Sequence, residues 1–138
     1  MAKFSIHDVQ ITAIAACVPP SVVKHSDSQI FENENERDKV IQLIGIDERR
    51  FADEATTASD LCVKAANKLI DELKIDKNSI DVLIYLSQTS DYITPATSPS
   101  LQHRLGLSIN TMCFDINLAC SGYVYALSTA FAHASIPS

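Results

Sequence analysis

From Gly122 the chain runs GYVYALSTAFAHA, a helical stretch that is apolar on nearly every face. A helix apolar all round is either buried in a core or crosses a membrane. At about 14 residues it falls short of the ~20 that a bilayer requires, so it is expected inside the protein. The other apolar runs, Ala13 to Val18 and Val82 to Leu86, are shorter still. A chain of 138 residues offers little around such a helix to cover it. That mismatch suggests a polypeptide that is part of something larger.

The elements ahead of this helix alternate. Ile6 to Val18 reads as one long strand or a strand pair, stopped by Pro19-Pro20. Residues 26–43 look helical in two pieces, with Asp27 or Ser28 as a cap and Gly45 as the stop. Thr57 to Leu73 is the clearest helix. Ala58, Leu61, Cys62, Ala65, Ala66, Leu69, Ile70 and Leu73 recur at helical spacing, which puts Cys62 on the buried stripe. Thr57 and Asp60 form a variant capping box. Val82 to Leu86 is a continuous apolar run, as in a strand of a parallel sheet covered on both faces. Ser98-Pro99 opens a short helix closed by Gly106, and Thr111 to Ile116 is a second buried strand. The predicted fold is α/β: a mainly parallel mixed sheet flanked by helices, with a buried central helix last. Length predicts about one domain, residues 1–138.

Composition removes several functions. Hydrophobic residues are 46% and charged residues 20%, a globular and not a disordered balance. Net charge is −6, against nucleic-acid binding. Only Gly45, Gly106 and Gly122 are glycines, so neither a GxGxxG nor a GxxxxGK phosphate loop exists. The start, MAKFSIHDVQ, lacks a charged-then-apolar signal pattern, and no membrane association is expected. The simplest compartment is the cytoplasm, where Cys17, Cys62, Cys113 and Cys120 stay reduced. No two of them are spaced C-x-x-C, so no metal site is predicted.

Cys120 lies between the last strand and the apolar helix, in FDINLACSGYVYAL. Such a turn presents a side chain at the sheet edge, in front of a helix N-terminus with unpaired N–H groups and partial positive charge. Those features favour the nucleophilic thiolate. The same amides can hold the oxyanion formed when the thiolate attacks a thioester. Ser121 and Gly122 are small enough to let an acyl chain approach. The alternative is that Cys120 is simply a small buried hydrophobe. Cys113, inside its strand, reads as core, and Cys17 as structural. A cysteine nucleophile usually has a histidine partner. None of His7, His25, His103 and His133 is placed by spacing to meet Cys120.

Three segments, GIDERRFADEATTASDL, SQTSDYITPATSPSLQHRLG and FDINLACSGYVYAL, resemble the N-terminal half of the β-ketoacyl-acyl carrier protein synthase III family. The resemblance covers most of the chain and is densest from Gly45 to Leu127. It implies a thiolase-like fold, in which two similar α/β halves pack together, and a homodimer. It also implies that Cys120 takes an acyl group from a coenzyme A thioester. A carbanion from malonyl-acyl carrier protein then attacks the acyl-cysteine. The histidine and asparagine that support decarboxylation in the family belong to the half that this sequence lacks, so Cys120 alone is carried over, as nucleophile and as backbone donor. The cofactor-binding residues stay unassigned.

The sequence departs from the family pattern at two places. Lys39 and Leu43 stand where relatives often carry a tryptophan and an arginine that hold coenzyme A, and Thr94 stands where a bulky aromatic often precedes the proline of the loop gating the partner subunit's acyl pocket. Arg49 and Arg50 suit an acidic carrier protein or a phosphate, or surface salt bridges to Asp47, Glu48 or Asp53. Two other readings stay open: a non-catalytic packing or dimerisation module, and a related condensing enzyme of another pathway. A cysteine hydrolase is weaker, because no histidine is placed to activate water.

Overall fold

The computed structural model describes residues 5–27 and 31–136. These residues form two compact units. One is Cys17–Thr57; the other joins the residues up to Ala16 with those from Ala58 onward.

In the first unit, β1 (Ser21–Lys24) pairs antiparallel with β2 (Glu48–Phe51), Ser21 opposite Phe51 and Lys24 opposite Glu48. A 3-10 turn, His25–Asp27, and α1 (Glu34–Ile44) lie between them. The expected two-piece helix is thus one turn and one helix. The cap of α1 is Asn33, whose side chain accepts the Glu36 N–H at 2.9 Å. Asp27 closes the 3-10 turn instead, and Ser28 lies outside the described residues. Gly45 stops α1 as expected, at φ 66 with its N–H donated to the Ile41 carbonyl. Arg50 donates to the Pro19 and Pro20 carbonyls at 3.2 and 3.4 Å, and the Arg49 guanidinium lies 5.3 Å from the centre of the Phe51 ring. Both arginines are therefore engaged by their own unit.

The strand expected over Ile6 to Val18 does not form. Propensity marks a segment as able to pair, but a strand exists only in a ladder with a neighbour. Among the described residues this segment has no such neighbour, and Ile11, Ile14 and Val18 remain exposed.

The second unit holds the core. The helix α2 (Ala58–Leu73) begins one residue after Thr57 and ends with Lys74 at φ 53. A 3-10 turn capped by Asp76 leads into β3 (Val82–Leu86). Then follow α3 (Ser98–Leu105), β4 (Met112–Ile116) and α4 (Gly122–Ala134). β3 and β4 are parallel, from Val82 opposite Met112 to Leu86 opposite Ile116. The helix between them closes a βαβ crossover, as a parallel pair requires. α3 packs on both strands and on α2, while α4 packs on β3. Ile70 of α2, Tyr85 of β3, Leu101 and Leu105 of α3, and Leu107 just after it are the buried apolar residues of this unit.

The α/β class and the order of elements from Thr57 onward match the sequence-based expectation. Among the described residues the strands form one antiparallel and one parallel pair, both kinds of pairing being expected. Two details differ. Cys62, expected in the core, is exposed, because α2 turns only part of its apolar stripe toward α3. The expected burial of α4 is confined to Gly122, with Tyr123, Val124 and Tyr125 exposed at 61%, 69% and 58%. One face of α4 meets β3, and Ser5 and Ile6 line a groove with Ser128, Thr129 and Ala132 of the same helix.

Candidate functional site

Five residues, 117–121, connect β4 to α4. Ala119 takes φ 47, a left-handed conformation that a Cβ makes costly. It opens a 3-10 turn, Ala119–Ser121. Ser121 donates its N–H to the Leu118 carbonyl at 3.2 Å and its hydroxyl to the same oxygen at 2.8 Å, and Gly122 donates its N–H to Ala119. The turn is thus held by its own backbone, and it leaves Cys120 exposed at its centre. Ser121, at the N-cap of α4, makes no side-chain cap hydrogen bond. The N–H groups of Ser121 and Gly122 are taken within the turn itself, so the helix start is satisfied there by backbone and not by a side chain.

A Cβ at Gly122 would sit 2.5 Å from Leu86 Cδ1, the end of a flexible side chain that would have to shift to admit it.

The other connection, from β3 to α3, is built differently. The two oxygens of Asp115 accept the N–H groups of Thr97 and Ser98, each at 2.8 Å. Thr97 and Ser98 are fully buried. Within the same connection, Asp91 accepts the Ser59 hydroxyl at 2.5 Å. Arg104 donates to Ser59 Oγ at 3.0 Å and pairs with Asp60. Tyr92 and Ile93 project outward, at 56% and 101% exposure. Sequence reasoning missed Asp115. A charged residue inside an otherwise apolar strand was the available signal, since such a group is buried only with partners.

A cavity of about 300 Å³ lies between the 88–96 segment on one side and Asp115 and Asn117 on the other. A wider groove of about 500 Å³ runs along α4 and β3, past Leu127 and His133, and does not include Cys120.

None of the four histidines is shown beside Cys120. His133 sits at the far end of α4, about 17 Å along the axis from Gly122 at the helical rise, with its ring 6.0 Å from that of Phe114. His7 and His103 are exposed. His25 is buried in the first unit, with both ring nitrogens unpartnered. Burial raises the Tyr85 phenol above its ordinary value and does the same to the Cys113 thiol. Cys113 Sγ contacts the Thr111 carbonyl at 3.3 Å and is half-buried, in keeping with a packing role. Cys17 is also half-buried, so the exposed thiols are Cys62 and Cys120. Among the described residues no cluster of metal-ligating side chains forms, and no helix is long and apolar enough to cross a membrane.

This architecture recurs in solved structures. A 3-oxoacyl-(acyl-carrier protein) synthase from Burkholderia xenovorans LB400 superposes with a TM-score of 0.82 at 39% identity, over 88% of this chain and 36% of that one. A variant of OleA from Xanthomonas campestris gives 0.80 at 25% identity, over 94% and 39%. The fold and the sequence therefore belong to the thiolase-like condensing enzymes. Among curated proteins, the β-ketoacyl-[acyl-carrier-protein] synthase III of Latilactobacillus sakei is 37% identical over 129 residues, 93% of this chain and 38% of that protein. Within the class, this chain belongs to the β-ketoacyl-acyl carrier protein synthase III family and corresponds to its N-terminal part. It spans 35% to 38% of the length of the curated relatives it matches. No family model matches the chain.

Proposed function

We propose that this chain carries the acyl-accepting nucleophile of a β-ketoacyl-acyl carrier protein synthase III. Cys120 Sγ attacks the carbonyl of an acyl-coenzyme A. The S–acyl bond forms, and coenzyme A leaves as its thiol. Malonyl-acyl carrier protein then loses carbon dioxide, and the carbanion attacks the acyl-cysteine, releasing the Cys120 thiolate and a 3-oxoacyl-carrier protein. The backbone N–H of Cys120 supplies one donor for the negative charge of the tetrahedral intermediate. The single observation behind this reading is an exposed cysteine at a strand-to-helix turn whose helix has no side-chain cap.

Acyl carrier protein, an acyl-coenzyme A donor, a homodimer and a cytoplasmic location belong to the same proposal. So does the inability of the 138-residue chain to condense by itself, since none of its histidines is shown beside Cys120. The test incubates the chain with acetyl-coenzyme A and then with malonyl-acyl carrier protein. The expected result is an acetyl adduct on Cys120 and no 3-oxoacyl product. Absence of the adduct overturns the acyl-acceptor reading, and a 3-oxoacyl product overturns the predicted inactivity.

One observation favours a second reading, a packing or dimerisation module. Tyr123, Val124 and Tyr125 offer an exposed apolar surface on the same helix. Under that reading Cys120 gains no acyl group, and removal of these three side chains alters only association.

A further inference from the structure

One carbonyl holds the Cys120 turn together. The Leu118 oxygen accepts the N–H of Ser121 at 3.2 Å and its hydroxyl at 2.8 Å, so Ser121 occupies both lone pairs of that oxygen. Between the two residues Ala119 stands at φ 47, next to Leu118 at φ −124 and ψ 28. Turning over the peptide plane that joins Leu118 to Ala119 would carry φ of Ala119 to roughly −130, ordinary extended backbone. It would also take the Leu118 oxygen away from Ser121 and put an oxygen where the Ala119 N–H now points. A left-handed residue and one net hydrogen bond have free energies of similar size and opposite sign. The hydroxyl is therefore large enough to decide which way the plane faces. At the other end of α4, Ser135 donates its hydroxyl to the Ala132 carbonyl, also at 2.8 Å, with no residue at positive φ between them.

We propose that Ser121 is a positioning residue for acyl transfer: its hydroxyl holds the Leu118–Ala119 peptide in the left-handed arrangement, which fixes the direction of Cys120 and keeps a carbonyl oxygen from turning out beside the Cys120 amide. The inference rests on the reading of Cys120 as acyl acceptor. The hydroxyl acts through the backbone and not on the reacting atoms. A carbonyl turned toward the developing oxyanion opposes the charge that the Cys120 N–H favours. Loss of the hydroxyl therefore slows attack on a thioester. A small alkylating reagent, which forms no oxyanion, is little affected.

Two reagents separate these effects. The full chain and its Ser121→Ala, Ser121→Thr and Ser135→Ala variants are treated with acetyl-coenzyme A or with iodoacetamide, and modification of Cys120 is read from peptide masses. The acetyl-transfer rate is expected to fall about threefold in Ser121→Ala, the change in population that one hydrogen bond allows, with the iodoacetamide rate held within about 1.5-fold. Ser121→Thr keeps the hydroxyl and is expected to keep the acetyl rate, as is Ser135→Ala, which loses an equal bond elsewhere. In an Ala119→Gly background the Ser121→Ala factor should shrink to within about 1.5-fold, since glycine takes positive φ without that help. The three-bond HN–Hα coupling of Ala119 reports φ directly, and it is expected to change in Ser121→Ala but not in Ser121→Thr or Ser135→Ala. Ser121→Gly carries the same measurements should Ser121→Ala not fold. Equal acetyl rates in the unaltered chain and Ser121→Ala, an equal fall with both reagents, or an unchanged Ala119 coupling overturns the proposal. If no chain takes an acetyl group but the coupling changes, the acyl-acceptor reading fails and the hold of Ser121 on the turn stands.

Discussion

The β3-to-α3 connection and the β4-to-α4 connection solve the same problem in opposite ways. Each brings a parallel strand into a helix whose first amides lack intrahelical partners. At α3 those amides are taken by Asp115, with Thr97 and Ser98 sealed from solvent. At α4 the turn is short and exposed, a non-glycine residue sits at positive φ, and no side chain caps the helix. The first end is closed by an internal carboxylate. The second has no side-chain cap and an exposed thiol at its centre. A non-glycine residue at positive φ beside it is a local structural cost.

The largest effect that would sharpen this contrast is in the packed region. Leu101 is 3% exposed, and Leu101→Ala is expected to lower unfolding free energy by about 3 kcal/mol. Val124 is 69% exposed, and Val124→Ser is expected to change it by less than about 0.5 kcal/mol. Urea denaturation measures both, and equal costs would break the distinction between the α3 side and the α4 side. Next comes the cap. Asp115→Ala leaves two buried N–H groups without acceptors, and a loss of about 2 kcal/mol is expected. Replacing Ser121, which caps nothing, with Ala should cost well under half of that.

These magnitudes also mark what the sequence made legible. Helical spacing from Ala58 to Leu73 and the apolar runs at 82–86 and 112–116 are local signals, and those elements form within a residue or two of expectation. Gly45 and Gly106 were readable because a left-handed stop has one cheap residue type. Three features needed tertiary knowledge. The 6–18 segment has strand composition but no ladder among the described residues. The stripe containing Cys62 is apolar on paper, yet only a partner decides which part of a stripe is covered. The cap of α3 comes from Asp115, 17 and 18 residues away in sequence, and no capping pattern reads across such a gap. Cys120 was legible as a candidate from its place between strand and helix, and its side chain is exposed.

A smaller effect concerns the strain. Ala119→Gly removes the Cβ from the left-handed position and is expected to raise stability by about 1 kcal/mol. If the strain holds Cys120 in place, the same variant slows acyl transfer without slowing iodoacetamide. A variant that is faster with the thioester would assign the strain no role in the reaction.

The smallest effect is a pH dependence in the packed region. Burial raises the Cys113 thiol, so the folded chain keeps that proton to higher pH than the unfolded chain does. Its contribution is complete below the ordinary thiol range and is lost as pH rises through the folded value. Between about pH 8 and about pH 10 the unaltered chain should therefore lose slightly more stability than Cys113→Val. An identical slope in the two would remove burial as the cause.

The central claim is that the uncapped turn makes one exposed thiol an acyl acceptor where another is not. The direct measurement is peptide mapping after exposure to acetyl-coenzyme A, with the acetyl occupancy of Cys120 set against that of Cys62, the other exposed thiol. A Cys120 adduct in large excess, lost in Cys120→Ala, is the predicted result. Equal occupancy of the two cysteines, or an adduct on Cys62 alone, would contradict it.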